Sequence, residues 1–406
     1  MNLLEVALGI ITGIGGFLEV GSIATSADGG ASFRFQLIWA LALATICLIF
    51  LTEMSGRLAA VSKHTLADAV REEFGFNFTV VPRAMELIVN FMVLTAELGG
   101  VCMALKLVTG WPIRAFAIPV MLFAWLMIWA GTLKIIENGT SILGLVALCF
   151  VVAMWKHHPP LHDVLHGLVP TVPHHDAARY WFFAISIVGA TIAPYMFHFY
   201  SSGAIEDKWD EKSLGTNRFT AIAGMAFGGG VSAAIVVVAA MVFFPVNIQV
   251  SQYEQIPLIL FPTLGRWALP LFAATLGVCC FGAAIELALG TAYMLAQTFG
   301  WNWDENEKPH REARFAAAYS IMLLLSGLTL LSGLDPLKLT MYSMALTAVI
   351  LPLVVVPFLM LMNNEEYLRE HTNGPIGNAV VIITIILSSI IAIVTIPLQL
   401  IGGGGG

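Results

Sequence analysis

The chain has 406 residues, of which 58% are hydrophobic and 11% charged, and its formal net charge is −7. Soluble domains contain about 45–50% apolar and about 25% charged residues. The composition therefore excludes a soluble enzyme and a disordered protein. The acidic balance, without any basic tract, excludes a nucleic-acid-binding protein. The sequence predicts a membrane protein whose main solvent is lipid.

Eleven apolar segments are long enough to cross a bilayer, which requires about 20 mostly apolar residues per helix. They lie near residues 2–26, 36–60, 84–108, 113–131, 138–155, 180–204, 217–244, 266–299, 313–332, 336–362 and 376–400. Their apolar runs are continuous rather than alternating, which excludes a β-barrel. We expect an all-α membrane protein with one polytopic domain over residues 1–401 and a glycine tail, 402–406, without assigned function.

The distribution of lysine and arginine predicts the orientation, because cytoplasmic loops are enriched in both residues. If the N-terminus is cytoplasmic, twelve of the 19 lie on cytoplasmic loops and flanks, including Arg83 just before segment 3, and seven lie outside. We therefore expect a cell-membrane protein with a cytoplasmic N-terminus and, after eleven spans, an external C-terminus.

The cysteines are expected to be packing residues, because free cysteine behaves as a small buried hydrophobic residue. All five lie inside apolar runs without a C-x-x-C pair, which makes a disulfide framework unexpected. They are Cys47, Cys102, Cys149, Cys279 and Cys280.

Segment 1 has features that a smooth spanning helix would not have. Glu19 places a carboxylate at membrane depth, between glycines such as Gly16 and Gly21 that tolerate non-helical dihedral angles. Burying an ionisable group in a bilayer is costly, so such a residue indicates a functional site. The alternative is a protonated or paired glutamate with a structural role.

Segment 6 is interrupted about halfway across by Pro194. Proline lacks an N–H and clashes with the preceding turn, which frees backbone carbonyls. Irregular backbone at this depth persists only where it lines a cavity or is covered by protein. A proline kink used for packing is the alternative interpretation.

Segments 1 and 6 occupy corresponding positions if the first ten helices form two repeats, about 2–155 and about 180–362, with an extra helix at about 376–400. Interrupted segments at matching positions in two halves indicate the substrate site of an inverted-repeat transporter. One carboxylate and the freed carbonyls predict an oxygen-rich site for a hard cation.

These segments resemble motifs of the natural resistance-associated macrophage protein (NRAMP) divalent-metal transporters, and similar stretches cover most of the chain. Residues 19–25 fall where the family has Asp-Pro-Gly-Asn-Phe-Ala-Thr, and residues 189–196 fall where it has Gly-Ala-Thr-x-Met-Pro-His-Asn. Glu97 in segment 3 and Pro352 in segment 10 belong to further similar stretches. The resemblance implies the inverted-repeat leucine-transporter fold with helices 1 and 6 unwound, and a transporter rather than an enzyme.

Three positions depart from the family's metal site. In the family, the segment-1 Asp and Asn side chains, a segment-6 methionine sulfur and a nearby carbonyl bind a transition metal. Here the three side chains are replaced by Glu19, Ser22 and Ala193. Thioether sulfur favours transition metals, whereas carboxylate and carbonyl oxygens suit Mg²⁺. We therefore expect a site that has lost its only soft ligand and has room for a partly hydrated Mg²⁺.

This pattern resembles the prokaryotic NRAMP-related magnesium transporters. The expected metal site consists of the side chains of Glu19 and Ser22 and the carbonyls near Val20 and Ala193. Tyr195 and Met196, which follow the break in segment 6, are expected to shape its wall and belong to the same candidate set: Glu19, Val20, Ser22, Ala193, Tyr195 and Met196.

The resemblance also implies a change in proton coupling. In the family, an Asp three residues before the segment-3 Glu and two segment-6 histidines belong to the proton route. Here those positions hold Leu94, Tyr195 and Tyr200, and only Glu97 remains. None of the three replacements titrates near neutral pH. His198 is offset by two residues from the second family histidine, and a hydrogen-bonded histidine on a helix face is its simplest interpretation.

Four polar residues are candidates for an aqueous path to the site: Glu97, Glu286, His198 and Tyr200. Glu286, in the middle of segment 8, either lines such a path or is hydrogen-bonded between helices. No observation on the sequence decides between the two.

Other charged groups have a simpler interpretation. Glu53 and Arg57 have the i, i+4 spacing of a helix ion pair. Asp28 and Arg34, placed beyond the outer end of segment 1, line a vestibule or are loop residues. The loop 156–175 can collect metal but lacks a defined ligand spacing, and it carries His157, His158, His162, His166, His174 and His175.

The function that the sequence favours is transport of divalent cations, chiefly Mg²⁺ and also Mn²⁺, uncoupled from protons and driven by the membrane potential. The alternative is a proton-coupled Mn²⁺/Fe²⁺ symporter of the ordinary family type. A metalloenzyme is disfavoured because H-E-x-x-H, G-x-S-x-G and P-loop motifs are absent from the sequence. A sodium-coupled organic-solute transporter is also disfavoured, because such transporters bind the carboxylate of their substrate at this place and Glu19 would repel it. We expect no cofactor, no nucleic-acid partner and a monomer in the lipid bilayer.

Overall fold

The computed structural model describes residues 18–131, 144–171, 176–304, 307 and 309–401. Within these residues the regular structure is helical, and each of the eleven predicted segments contains at least one helix. Residues 2–17 of segment 1, Lys134, Lys308, His174, His175 and the glycine tail lie outside the described residues.

The first half of the chain contains α1 (Val20–Phe33), α2 (Ile38–Ser62), α3 (Leu66–Phe74), α4 (Phe76–Thr109), α5 (Ile113–Trp129), α6 (Leu148–His157) and α7 (Leu161–His166). The second half contains α8 (Ala177–Thr191), α9 (Pro194–Glu206), α10 (Leu214–Val242), α11 (Phe261–Leu264), α12 (Ala268–Phe299), α13 (Ala313–Leu331), α14 (Pro336–Leu361), α15 (Glu365–Leu368) and α16 (Pro375–Ile401). Short 3₁₀ turns are Leu145–Ala147, Glu211–Ser213, Phe244–Val246, Tyr253–Leu260, Gly265–Trp267 and Arg369–His371.

Seven helical stretches of the described residues are long and apolar enough to cross a membrane. They are Ile38–Ser62, Phe76–Thr109, Ala177–Glu206, Glu211–Val246, Tyr253–Phe299, Ala313–Leu331 and Pro336–Leu361. Shorter apolar helices cover Ile113–Trp129, Leu145–His157 and Pro375–Leu387. The chain is therefore an all-α membrane protein.

The break in segment 6 is confirmed. α8 ends at Thr191, and Ile192 and Ala193 then adopt non-helical conformations, with φ/ψ of −108°/84° and −95°/117°. Pro194 is the first residue of α9, where its missing N–H costs nothing because the first N–H groups of a helix have no intrahelical acceptor. On the described side of segment 1, α1 begins at Val20 after an extended Glu19.

Two predicted helix limits are wrong. α4 begins at Phe76, well before the predicted residue 84, so Arg83 is inside the helix and only 4% exposed rather than in a loop before it. Burial of this charge is possible because the Glu86 carboxylate lies 2.7 Å from its guanidinium. α1 continues to Phe33, so Asp28 lies within it rather than beyond its end.

The start of α1 and the break in segment 6 lie close together because of how the helices pack. α1 packs against α8 and α10, and α8 packs against α14. α9 packs against α2 and α12, while α4 packs along α12. The starts of α1 and α9 and the end of α8 therefore share the interior of the bundle.

Gly189, in the last turn of α8, allows the closest of these approaches. A Cβ atom there would collide with the main-chain carbonyl oxygen of Met344 in α14. The backbone cannot move aside as a flexible side chain can, so we expect Gly189→Ala to lower the free energy of unfolding by about 1–3 kcal/mol, the usual cost of overpacking. Thermal unfolding of the purified protein in detergent measures this loss.

Gly203 in α9 is the matched control, because nothing lies within 4 Å of its Cβ position. Gly203→Ala is expected to leave the melting temperature unchanged or to raise it, since alanine is the better helix former. Equal melting temperatures for the two variants would contradict the packing of α8 on α14 described here.

Candidate metal site

Glu19 immediately precedes α1 and is buried inside the bundle. Its backbone is extended, with φ −117° and ψ 172°, and the residue is only 1% exposed. Carboxylate oxygen Oε2 accepts a hydrogen bond of 3.2 Å from the hydroxyl of Tyr195. Oxygen Oε1 is buried and has no hydrogen-bond partner among the described residues. An acceptor of this kind is costly to bury unless something compensates it.

The first N–H groups of α1 are satisfied by side chains instead of by the helix itself. The Ser22 hydroxyl accepts from the backbone N–H of Glu19 at 3.1 Å and donates to the Glu19 carbonyl at 2.9 Å. The Val20 N–H donates to both carboxylate oxygens of Glu97, at 3.1 and 3.2 Å. Glu97 therefore acts as a remote cap, placed where the helix dipole favours negative charge.

The end of α8 presents backbone oxygens towards the same region. The last four carbonyls of a helix lack intrahelical partners and form the negative end of its dipole. Val188 is still engaged, because its carbonyl accepts from Ile192 N–H at 2.9 Å, whereas the chain leaves the helix at Thr191. The Ala193 carbonyl accepts from Met196 N–H at 3.1 Å.

Tyr195 joins the two breaks. It lies in the first turn of α9, is 1% exposed, and donates its hydroxyl hydrogen to Glu19 in front of α1. Glu97 and Glu286 also lie near enough to Tyr195 to interact with it electrostatically. Tyr195 therefore lies in an acidic part of the interior, in direct contact with the Glu19 carboxylate.

This arrangement is chemically suited to a hard cation. Carboxylate, carbonyl and hydroxyl oxygens are the ligands that Mg²⁺, Ca²⁺ and Mn²⁺ prefer. No group of three or more His, Cys, Asp or Glu side chains in the described part of the chain is placed to hold a metal ion. A cation beside Glu19 would therefore depend on backbone oxygens, hydroxyls and water for most of its ligands.

The remaining predicted residues are spread more widely. Met196 is half-buried and packs against the apolar core. The Tyr200 hydroxyl donates to Asn217 Oδ1 in α10 at 3.0 Å, so this tyrosine is engaged away from Glu19. Glu286 is half-buried in α12 and lies near Tyr195.

His198 belongs to a separate buried cluster that sequence reasoning missed. Its Nε2 lies 3.1 Å from Glu86 Oε1 and 2.8 Å from the Arg83 guanidinium, and Arg83 also contacts Glu86 at 2.7 Å. All three side chains are almost fully buried between α4 and α9. Their separation in the sequence gave no signal, and the predicted start of segment 3 excluded Arg83 from the helix.

Two sulfur atoms near the start of α1 were also missed. The Met344 thioether of α14 covers Gly21, since the Cβ position of Gly21 is 2.5 Å from its Sδ. The Cys280 thiol of α12 is hydrogen-bonded to Glu97 and lies against Gly100. Sequence reasoning considered only the sulfur lost at Ala193, whereas α14 brings the Met344 thioether to the start of α1.

A polar cleft of about 1110 Å³ opens at the end of the bundle where α1 finishes. Ion pairs cross its lining, with Arg34 3.1 Å from Asp163 and Arg179 3.8 Å from the buried Asp28. The Arg57–Glu53 pair predicted from spacing is confirmed at 3.0 Å.

Comparison with known proteins agrees with this architecture. The family profile described as "Natural resistance-associated macrophage protein-like" matches residues 9–397. The chain is 25% identical over 384 residues to the "Divalent metal cation transporter MntH" of Caldanaerobacter subterraneus subsp. tengcongensis, covering 89% of this chain and 85% of that protein. It is 26% identical over 384 residues to the MntH of Klebsiella pneumoniae subsp. pneumoniae, covering 92% and 90%.

Solved structures share the fold. The Eremococcus coleocola manganese transporter, in complex with an aromatic bis-isothiourea substituted compound, matches with a TM-score of 0.76 at 18% identity, over 99% of this chain and 88% of the other. MhsT in complex with L-phenylalanine matches with a TM-score of 0.62 at 17% identity, over 96% and 97%. The chain belongs to the natural resistance-associated macrophage protein-like family and is a divalent metal cation transporter rather than an enzyme.

Glu19→Gln tests whether the unpartnered carboxylate oxygen is there for a cation. Removing the charge but keeping the shape should leave the melting temperature without metal at or above that of the unchanged protein, because a buried negative charge costs more than a buried neutral amide. It should abolish the rise in melting temperature on adding Mg²⁺ or Mn²⁺, since bound ligands stabilise only the folded state.

Glu53→Gln is the matched control, because it removes a carboxylate that is already paired with Arg57. It should keep the metal-induced rise in melting temperature. A full metal-induced rise in Glu19→Gln would contradict a cation site at Glu19.

Proposed function

We propose that this family member carries divalent cations through the membrane by alternating access, with Mg²⁺ as its chief substrate and Mn²⁺ as a second one. The observation that carries the proposal is Glu19 Oε1, a buried acceptor without a described partner at the start of α1. A divalent cation at this point would compensate both the desolvated oxygen and the nearby Glu97.

The preference for Mg²⁺ is supported by the oxygen chemistry around Glu19. Mg²⁺ gives up water reluctantly and usually keeps several water ligands in proteins. Ala193, at the break before α9, has a small side chain where the family motif carries a thioether, which favours a hydrated ion over a bare one. Glu19, the Ser22 hydroxyl and the backbone oxygens of both breaks supply only hard donors.

Transport without protons is supported by the residues that stand at the family's proton-route positions. Leu94 is completely buried and cannot titrate, while the hydroxyls of Tyr195 and Tyr200 are engaged with Glu19 and Asn217. The membrane potential supplies enough energy on its own. It provides about 2.3 kcal/mol per charge per 100 mV, or about 4.6 kcal/mol for a divalent cation, a concentration ratio of about 10³.

A proton-coupled Mn²⁺ transporter is the second candidate, and a specific observation favours it. The buried cluster joins His198 of α9 to Glu86 and Arg83 of α4, and so places titratable groups beside the helix that also carries Glu97. The solved transporter of Eremococcus coleocola is named for manganese, and the sequence relatives are named for divalent metals.

We also propose a cytoplasmic N-terminus, an external C-terminus and a monomer in the cell membrane of a prokaryote. In this orientation the polar cleft at the end of α1 faces outward and lies along the route to Glu19. The two repeats would cover about residues 2–155 and 180–362, with α16 outside them.

Uptake by the reconstituted protein distinguishes the two candidates. We expect Mg²⁺ to enter proteoliposomes when the interior is negative, because the cation carries net charge, and we expect the internal pH to stay constant. Simultaneous Mg²⁺ and pH indicators measure both, with Mn²⁺ and Ca²⁺ as competitors. Metal-dependent acidification would overturn uncoupled transport and support the symporter.

Ala193→Met tests the basis of the ion preference. A thioether at the break before α9 would fill the space for a water ligand and add a soft donor, so Mg²⁺ uptake should fall relative to Mn²⁺ uptake. Ala193→Leu is the matched control, because it adds similar volume without sulfur and should reduce both. Identical Mg²⁺-to-Mn²⁺ ratios in the two variants would refute the role of sulfur.

A further inference from the structure

Met344 is the residue of α14 that faces the start of α1. The three atoms nearest to the Cβ position of Gly21 all belong to its side chain, with Sδ at 2.5 Å, Cε at 2.7 Å and Cγ at 2.9 Å. The thioether therefore lies directly on the Gly21 backbone, two residues from Glu19. Met344 is only 1% exposed, so its sulfur is held inside the protein.

The backbone of the same residue touches the other break. The Met344 carbonyl oxygen is the nearest atom to the Cβ position of Gly189, in the last turn of α8, and Ala348 N is 3.0 Å from it. Met344 is thus placed between the start of α1 and the end of α8, the two elements that present the oxygens of the candidate site.

A thioether at this place has a specific chemical consequence. It has no proton to lose, it offers lone pairs only, and it prefers soft metal ions to Mg²⁺ or Ca²⁺. Its three flexible side-chain bonds allow the sulfur to move by small amounts towards a bound ion. A hydrated hard cation would leave the sulfur as an apolar wall, whereas a soft cation would use it as a ligand.

We propose that Met344 determines the ion selectivity of the Glu19 site by supplying a thioether ligand to soft divalent cations such as Cd²⁺. The inference rests on the proposed function, because it assigns a second class of ion to the same site. Cd²⁺ then competes with Mg²⁺ for the site. How well the site rejects soft ions depends on Met344 of α14 rather than on the residues before α1 and α9.

Cys280 is the rival source of sulfur. Its thiol lies against Gly100 and Val20 on the side of α1 that faces α12, and it is hydrogen-bonded to the Glu97 carboxyl group. A cation would have to displace this hydrogen bond and the thiol proton to bind there. The Met344 thioether requires neither change.

The test is Cd²⁺ binding to the purified protein in detergent, measured by isothermal titration calorimetry, which needs no transport. Met344→Leu keeps the apolar volume but removes the sulfur. It should weaken Cd²⁺ binding by about 10-fold or more, because even changes in residues that only support metal ligands cause losses of this size. Its Mg²⁺ affinity should stay unchanged. Met344→Gln replaces sulfur by an oxygen donor and should give the same loss of Cd²⁺ binding if the leucine variant does not fold.

Met362→Leu is the matched control, because Met362 is a fully buried methionine at the far end of α14 and should bind Cd²⁺ as the unchanged protein does. Cd²⁺ affinity that is unchanged in Met344→Leu, or lost only in Cys280→Ser, would overturn the proposal. Failure of the proposed function has a different signature, namely absence of Mg²⁺ uptake whatever the Cd²⁺ affinities.

Discussion

The structure depends on one constraint, the compensation of a carboxylate that is buried inside lipid-embedded helices. A membrane helix normally satisfies its own backbone, and its interruption is tolerated only inside protein or beside a cavity. Here α1 begins inside the protein after an extended Glu19, and the Ser22 hydroxyl and the Glu97 carboxylate accept from the N–H groups of Glu19 and Val20. The Tyr195 hydroxyl then joins the start of α9 to the Glu19 carboxylate.

The carboxylates of Glu19 and Glu97, at the start of α1, differ in whether an oxygen remains without a hydrogen-bond partner. Both oxygens of Glu97 accept from Val20, so this side chain acts in the described structure as a cap. Glu19 keeps one oxygen without a described partner. Elsewhere in the bundle, buried charge is paired within the protein, as in the cluster of Arg83 and Glu86. The contrast distinguishes a group that stabilises the fold from one that, in the proposed function, binds the cation.

The sequence was sufficient to predict the helical segments and the break in segment 6, because both have local causes. Length and continuity of apolar runs define a membrane helix, and Pro194 and the glycines around Glu19 define where it cannot continue. The predicted helix limit was wrong where a buried charge is compensated by other residues. The sequence predicted a charge on a helix flank at Arg83, because its contacts with Glu86 and His198 appear only in the structure. The position of the Met344 sulfur could not be predicted from the sequence, because only the packing of α14 on α1 and α8 brings it to Gly21.

The location of the bound ion is the most direct test of this account. Anomalous diffraction from crystals soaked with Mn²⁺ would show it without any assumption about transport. The account predicts one strong peak within coordination distance of Glu19 Oε1, between the start of α1 and the end of α8. A peak confined to the polar cleft, with Glu19 Oε1 still lacking a ligand, would contradict it.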